Sequence, residues 1–194
     1  LMAELFEVHD TSRIEVFAYY CGPDSNSDLT QRTKANVEHW KPIRELSDDD
    51  AAQMIADDGI DILIDVNGHT RDARLGVFAR RPAPIQVNWL GFPGTMGSPF
   101  HHYIIGDDWT IPGYAEGWYS EKVLRLPCYQ PNDRKRIVDE NVPTRADFGL
   151  PDDAFVFCCF NASHKFTRFT FDRWMDVMKA TENSVLWLLD YAPE

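Results

Sequence analysis

The sequence predicts an α/β fold with a parallel, doubly wound sheet, and two observations carry this prediction. First, runs typical of strands alternate along the chain with stretches whose apolar residues recur at helical spacing. Second, the run IDILIDVNG (60–68) is apolar and rich in β-branched residues, as in a strand that is covered on both faces. With 44% apolar residues, the chain has enough material for a substantial core.

The elements before this run are predicted one by one from local signals. Residues 1–9 have the spacing of the end of an amphipathic helix, and residues 14–20 predict a strand that closes into a turn. Residues 28–40 are polar and compatible with a helix. Ser47 is a suitable N-cap for a helix whose first turn carries carboxylates, which oppose the helix dipole, and Gly59 ends that helix.

The elements after this run fall into two groups. Three more strands are predicted at residues 85–90, 103–107 and 121–127. The second group consists of a strand at 154–161, a helix at 168–180 and a strand at 184–190. The helix places four apolar side chains on one stripe: Phe171, Trp174, Val177 and Met178.

The two groups predict two domains. Residues 1–135 form part of a first domain, residues 136–152 form a polar linker with proline, and residues 153–194 form the first βαβ unit of a second domain. Two parallel strands and one helix leave a large apolar face uncovered. We therefore expect the native protein to continue, or a partner to cover this face.

Composition and charge exclude several classes of function. The net charge is -12 and basic residues are scattered, which argues against a nucleic-acid groove. The four cysteines lack Cys-x-x-Cys spacing, which favours a reducing cytoplasm over a disulfide framework. No apolar run reaches the ~20 residues that a membrane helix needs, and the start lacks the pattern of a signal peptide. The sequence therefore predicts a soluble, cytoplasmic protein.

Three loops are candidate sites, because ligands of open parallel sheets bind beyond the carboxyl ends of the strands. They are residues 67–74 (NGHTRDAR), 90–100 (LGFPGTMGSPF) and 160–166 (FNASHKF). In the second loop, glycines permit close backbone approach and prolines fix the path, which suits a preorganised surface against a ligand. A tight structural turn explains the same residues equally well.

The other two loops also leave alternatives open. His69 can act as an acid or base beside two arginines, but a hydrogen-bonded loop histidine is the more common case. Lys165 follows a buried strand and precedes a helix, where a lysine can meet a phosphate, and a surface lysine explains it equally well. His101 and His102 are adjacent, which is poor spacing for one metal ion.

Three segments of the chain together resemble a known family. They are residues 58–99, which include RPAPIQ and WLGFPGT, residues 119–133, which begin YSEK, and residues 157–189, which include FCCFNASHKFT and SVLWLL. In this order they closely resemble the catalytic region of the O-linked N-acetylglucosamine transferase family, which includes the plant SPINDLY-type O-fucosyltransferases. The resemblance runs along the whole chain and is weakest in the linker.

The resemblance implies a GT-B fold, in which two Rossmann-like domains bind a nucleotide sugar between them. Residues 1–135 are then part of the N-terminal catalytic domain, and residues 153–194 are the truncated start of the nucleotide-sugar-binding domain. The implied reaction is inverting: a protein Ser or Thr hydroxyl attacks the anomeric carbon of UDP-N-acetylglucosamine (UDP-GlcNAc), and UDP leaves. No cofactor and no metal are expected. The implied partners are acceptor proteins and an N-terminal tetratricopeptide array, and the short linker resembles that of bacterial members.

The resemblance also assigns substrate-binding residues by position. Leu90, Gly91 and Pro93 match the loop that packs against the sugar. Lys165 matches the lysine at the diphosphate, where it would neutralise charge that develops on the leaving group. His164 lies in the same segment but stands where the animal enzymes have tyrosine. No catalytic residue is assigned, because the family's catalytic histidine matches a segment upstream of this chain.

Two alternative functions remain open at this stage. The sequence does not distinguish UDP-GlcNAc from GDP-fucose, the donor of protein O-fucosyltransferases. Ala162 stands where the animal enzymes have a glutamine at the nucleotide. This departure and that at His164 give some support to a catalytically inactive scaffold or binding module of the same fold. A fragment without the upstream histidine is itself expected to be inactive or nearly so.

Overall fold

The structure is a computed structural model that describes residues 2–23 and 25–190. Parts of three predicted elements lie outside the described residues. They are Leu1 of the predicted first helix, Asp24 of the predicted turn and residues 191–194 of the predicted second domain. The chain divides into two compact units, Leu1–Arg136 and Ile137–Glu194. Each unit has parallel strands and at least one α-helix.

The first unit contains six strands, four α-helices and a 3-10 turn among its described residues. The strands are β1 (Phe17–Tyr20), β2 (His39–Pro42), β3 (Ile62–Asp65), β4 (Ile85–Asn88), β5 (Tyr103–Gly106) and β6 (Lys122–Arg125). The helices are α1 (Ala3–Val8), α2 (Asp28–Lys34), α3 (Asp48–Asp57) and α4 (Leu75–Ala79), and the 3-10 turn is Gly113–Trp118.

The strands form parallel ladders, as the sequence predicts. A four-stranded sheet has the order β3-β4-β5-β6, and β1 pairs with β2 in a separate two-stranded ladder. Among the described residues no ladder joins β1 and β2 to the larger sheet, so the predicted doubly wound sheet is divided into two parts. Because all four strands of the larger sheet are parallel, their carboxyl ends lie along one edge.

Helix α3 follows the predicted signals and covers the sheet. The Ser47 hydroxyl accepts a hydrogen bond from the backbone amide of Asp50, which is an N-cap. Gly59, with φ of +67°, follows the end of the helix in the left-handed conformation that glycine adopts readily. Ala51 and Ile55 are almost fully buried and belong to the main core cluster, together with residues of β3 and α4.

Two predictions about local structure are wrong. The helix-compatible stretch 28–40 holds a helix only at Asp28–Lys34, and His39 and Trp40 begin strand β2 instead. These residues pair with Phe17 and Ala18 of β1, so a non-local ladder overrides the local polar pattern. Strand β3 is not covered on both faces in the described chain, since alternate residues such as Ile62 remain 53% exposed.

An ion-pair cluster holds residues 133–135 against α1 and α2. The Arg32 guanidinium lies between two carboxylates, with Nε 2.5 Å from Glu7 Oε1 and Nη1 2.7 Å from Asp133 Oδ2. The Lys135 ammonium also contacts Glu7, at 2.6 Å. Glu4 accepts hydrogen bonds from the backbone and side chain of Arg134. These contacts anchor the end of the first unit to its start.

This cluster predicts loss of stability in acid. Hydrogen bonds from Arg32 and then Lys135 lower the pKa of Glu7 from 4.5 to about 2, against the opposing effect of burial. The contribution of Glu7 to the free energy of unfolding is therefore complete above about pH 4.5 and is lost as the pH falls through about 2. Urea unfolding across this range should show the decline, and Arg32→Ala should flatten it. Arg71→Ala is the matched control, because that arginine is 96% exposed; an equal flattening there would contradict the assignment.

The second unit contains two strands, one α-helix and two 3-10 turns among its described residues. They are β7 (Phe155–Cys159), α5 (Arg168–Ala180), β8 (Ser184–Leu188) and the 3-10 turns Ala146–Phe148 and Ser163–Lys165. Strands β7 and β8 are parallel neighbours. The bounds of α5 agree with the predicted helix 168–180. Three residues of its predicted stripe line an open apolar cleft against the two strands: Trp174, Val177 and Met178.

None of the helices in the described part of the chain has the length and apolar character needed to cross a membrane.

Candidate functional site

Two loops of the first unit leave neighbouring strands at the carboxyl edge of the sheet. The β3 loop comprises residues 66–74, and the β4 loop comprises residues 89–100. Strands β3 and β4 are direct neighbours, so the two loops begin side by side. This is the edge at which parallel sheets bind their ligands.

The β3 loop is fixed by the buried carboxylate of Asp65 at the end of its strand. One carboxylate oxygen accepts hydrogen bonds from the amides of Asn67 and Gly68, each at 2.9 Å. Gly68 is buried with φ of +58°, and a Cβ there would come within 2.6 Å of Phe92 Cβ in the β4 loop. The absence of a side chain at this position therefore allows the two loops to pack against each other.

The β4 loop approaches the β3 loop through backbone as well. A Cβ on Gly91 would meet the carbonyl oxygen of Val66 at 2.3 Å, so only glycine fits there without a backbone shift. Leu90 has φ of +83°, a conformation that side-chain-bearing residues rarely adopt. The side-chain amide of the fully buried Asn88 donates to the carbonyl oxygens of Phe92, at 3.0 Å, and Gly94, at 3.4 Å. These contacts fix the start of the β4 loop from within.

Two tyrosine hydroxyls hold the β4 loop from outside. Tyr129 donates to the carbonyl oxygen of Leu90 at 2.7 Å, and Tyr119 donates to that of Pro93 at 3.0 Å. Burial raises the pKa of Tyr129, so its hydroxyl remains a proton donor at neutral pH. The two hydroxyls thus hold the backbone at Leu90, directly before Gly91, and at Pro93, two residues after it.

The far half of the β4 loop is held by the carboxylate of Glu121, which is 4% exposed. Its oxygens accept hydrogen bonds from the backbone amide of Met96, at 2.7 Å, and the hydroxyl of Thr95, at 2.8 Å. The β4 loop is therefore supported along its length. Such a loop meets a ligand without first losing conformational freedom.

His69 joins the two loops. Its Nε2 lies 3.0 Å from the carbonyl oxygen of Met96, and its ring meets that of Phe92 edge to face at 5.2 Å. This contact agrees with the hydrogen-bonded loop histidine that was one of the two interpretations. Arg74 likewise has a structural role, since it binds the Asp48 carboxylate and two backbone carbonyls, whereas Arg71 projects into solvent.

A buried chain of polar side chains lies beneath these loops, and the sequence analysis did not identify it. His101 Nδ1 lies 2.7 Å from the Ser98 hydroxyl, and its Nε2 lies 3.3 Å from the second oxygen of Asp65. Burial opposes ionisation of Asp65, but hydrogen bonds from His101 and from the amides of Gly68 and Asn67 outweigh it and lower the pKa. These contacts tie the start of the β3 loop to the end of the β4 loop.

In the second unit, His164 and Lys165 lie on the 3-10 turn between β7 and α5. The turn is closed by the Lys165 amide, which donates to the carbonyl oxygen of Ala162 at 3.0 Å. Both side chains are exposed. Thr167, two residues after Lys165, caps the N-terminus of α5. A lysine and a helix N-terminus thus follow the same strand end, an arrangement suited to binding a phosphate.

The predicted substrate-binding residues therefore fall into two places. Leu90, Gly91 and Pro93 lie together in the β4 loop of the first unit, and His164 and Lys165 lie together on a turn of the second. Within residues 2–23 and 25–190, no group of three or more His, Cys, Asp or Glu residues is arranged to hold a metal ion.

Comparison with known proteins gives consistent matches. The sequence profile described as glycosyl transferase family 41 matches residues 1–138 and 132–194. A probable UDP-N-acetylglucosamine–peptide N-acetylglucosaminyltransferase SEC of Arabidopsis thaliana is 40% identical over 197 residues, which cover 98% of this chain and 20% of the relative. A probable enzyme of the same type, SPINDLY of Arabidopsis thaliana, is 36% identical over 151 residues, which cover 76% of this chain and 16% of the relative.

A solved structure agrees with the sequence matches. A lysine-to-methionine mutant of the Thermobaculum terrenum O-GlcNAc transferase is 31% identical and matches with a TM-score of 0.80, over 96% of this chain and 35% of that chain. This match confirms the predicted α/β fold of GT-B type. The chain spans no more than a fifth of the two curated relatives described above. Sequence and structure together establish that the chain belongs to glycosyl transferase family 41.

Proposed function

We propose that the protein containing this chain transfers N-acetylglucosamine from UDP-GlcNAc to Ser and Thr hydroxyls of other proteins. The observation that carries the proposal is the β4 loop around Gly91, where hydrogen bonds from Tyr129, Asn88 and Tyr119 hold the carbonyl oxygens of Leu90, Phe92 and Pro93. Family membership supplies the reaction class, and the relatives' names supply the donor and the peptide acceptor.

In the proposed reaction an acceptor hydroxyl attacks the anomeric carbon with inversion, and UDP leaves. The β4 loop presents fixed backbone to the sugar, so that the donor is oriented before the attack. The Lys165 ammonium neutralises negative charge as it develops on the leaving diphosphate. The reaction needs no metal ion and no cofactor in this proposal. The proposed partners are the nucleotide-sugar donor, the acceptor proteins and an N-terminal tetratricopeptide array.

The proposal is tested with the full-length protein, a host lysate and a mixture of UDP-GlcNAc and GDP-fucose. Mass spectrometry of Ser and Thr peptides should detect added N-acetylhexosamine. Addition of deoxyhexose instead would identify GDP-fucose as the donor and support the alternative O-fucosyltransferase. No addition under conditions where both donors remain intact would favour an inactive scaffold of the same fold.

A further inference from the structure

The first unit presents three large aromatic side chains to solvent on the segment between β5 and β6. Trp109 is 91% exposed, Tyr114 is 81% exposed and Trp118 is 72% exposed. We call these three residues the aromatic patch. Tyr114 and Trp118 meet edge to face, with ring centroids 6.2 Å apart, and Trp109 lies on the same segment. Single exposed apolar residues are common, but several exposed Trp and Tyr rings on one segment are typical of protein interaction sites. The proposed transfer reaction assigns no role to this cluster.

The backbone under the patch is fixed by the buried carboxylate of Asp107. One of its oxygens accepts hydrogen bonds from the amides of Trp109, at 3.0 Å, and Thr110, at 2.7 Å, and the other accepts from the amide of Tyr129, at 2.7 Å. Hydrogen bonds from the Thr110 side chain and then its amide lower the pKa of Asp107 to about 2, so the carboxylate is ionised at neutral pH. Asp107 therefore fixes the backbone that carries Trp109.

Arg125 on strand β6 joins the two parts of the segment that carry the rings. Its guanidinium donates to the carbonyl oxygen of Ile111 at 2.7 Å and lies 3.1 Å from the Asp108 carboxylate. The same group pairs with Glu116 in the 3-10 turn Gly113–Trp118. The Arg125 side chain therefore reaches both the residue next to Trp109 and the turn that carries the other two rings.

The charge around the patch is negative. Asp108 and Glu116 are two carboxylates paired with the single guanidinium of Arg125, and the Asp107 carboxylate beneath them is also ionised, so carboxylates outnumber the guanidinium. Their side chains remain 86% and 49% exposed, so both can bind a second cation. The chain as a whole has a net charge of -12. This charge disfavours nucleic acid, an anionic membrane or a second copy of the chain as the partner.

We propose that the aromatic patch docks a basic segment of a protein partner. Arg or Lys side chains of that segment lie on the exposed rings, which attract cations through their electron-rich faces, and they pair with Asp108 and Glu116. The patch adjoins the β4 loop through Tyr119, which follows the turn and binds Pro93. The interaction is one of binding only, and it does not depend on the proposed transfer reaction.

The probe is an arginine peptide, acetyl-Gly-Arg-Gly-Arg-Gly-Arg-Gly-amide, with its glutamine counterpart as the matched ligand control. The full chain contains six tryptophans, so indole N–H signals in a ¹⁵N-labelled sample report on each of them. The Trp109 and Trp118 signals, assigned with single Trp→Phe variants, should shift saturably with the arginine peptide. The binding constant should weaken as salt is raised.

Two double variants, each with a control variant, distinguish the contribution of the rings to peptide binding from that of the charges. Trp109→Ala combined with Trp118→Ala should weaken peptide binding about tenfold, whereas Leu29→Ala, at a residue 52% exposed on α2, should have no effect. Asp108→Asn combined with Glu116→Gln should weaken binding and reduce its salt dependence. Asp61→Asn is the control for an exposed carboxylate elsewhere. Thermal unfolding of each variant checks that it remains folded.

Several results would overturn the proposal. One is an absence of shifts with the arginine peptide, and another is equal binding of the glutamine peptide. Unchanged affinity in the double-ring variant would also contradict it. Concentration-dependent shifts without peptide would identify a second copy as the partner. Shifts with chitooligosaccharide but not with arginine peptide would identify a carbohydrate ligand.

Discussion

Replacing Lys165 with alanine in the full-length protein is expected to lower kcat by about 10²-fold. The reason is electrostatic, because charge develops on the leaving diphosphate in the transition state and the ammonium group opposes it most strongly there. Lys165 is exposed on its turn, and in the described part of the chain its ammonium makes no ion pair that would hold it elsewhere. Initial rates of transfer from UDP-GlcNAc at saturating donor measure the effect.

The matched control for this variant is Lys179→Ala. Lys179 is also an exposed lysine of the second unit, but it lies in the last turn of α5. Its removal should leave both kcat and KM unchanged. A full-rate Lys165→Ala enzyme would remove this residue from the mechanism, and equal loss in both variants would indicate a general effect of charge.

Gly91→Ala is expected to destabilise the first unit by about 2 kcal/mol and to abolish most transfer activity. The added Cβ would lie 2.3 Å from the Val66 carbonyl oxygen and 3.0 Å from that of Asn67. Both are backbone atoms at the start of the β3 loop, so a side-chain rotation cannot relieve the contact. The start of the β4 loop must move, and the hydrogen bond from Tyr129 to Leu90 should weaken with it.

Urea unfolding measures the stability of this variant, and the KM for the donor measures the effect of the moved β4 loop on donor binding. Gly117→Ala is the control, because a Cβ there meets no atom within 4 Å. Pro93→Ala provides a second comparison, since Pro93 is exposed and should affect selection of the sugar more than folding. If Gly91→Ala were as stable as Gly117→Ala, the close approach of the two loops would be wrong. If Pro93→Ala changed only stability, a plain structural turn would explain that residue.

Local sequence signals were sufficient to predict much of the fold. The helix at 168–180 has the predicted bounds because Thr167 caps it and an apolar stripe runs along it. The Ser47 cap and Gly59 likewise define the ends of α3. Strand β2 was not predictable in this way, since His39–Pro42 has no alternating pattern and forms by pairing with β1. Non-local pairing is the usual reason that strand prediction fails.

The supports of the candidate site were less accessible to sequence reasoning. The glycines and prolines marked the β4 loop as a candidate, and the family resemblance assigned Gly91 and Pro93 to the sugar, but the reason for a glycine is the backbone of the β3 loop, which only the fold brings near. Tyr129 reaches Leu90 from 39 positions away, and Glu121 reaches Met96 from 25 positions away. No local pattern marks either residue as a partner of the β4 loop. Such contacts depend on strand order, which the sequence does not specify residue by residue.

The buried contact between Asp65 and His101 has a consequence for how this protein can evolve. Loss of His101 alone would leave a desolvated carboxylate with one oxygen unpaired, which costs about 3 kcal/mol or more. Loss of both can be nearly neutral if the residue at position 65 still accepts the hydrogen bonds from the amides of Asn67 and Gly68, as asparagine would. We therefore expect substitutions at these two positions, 36 residues apart in the chain, to covary among homologous sequences. Homologous sequences should carry either both the aspartate and the histidine or neither, and few should carry only one of the two.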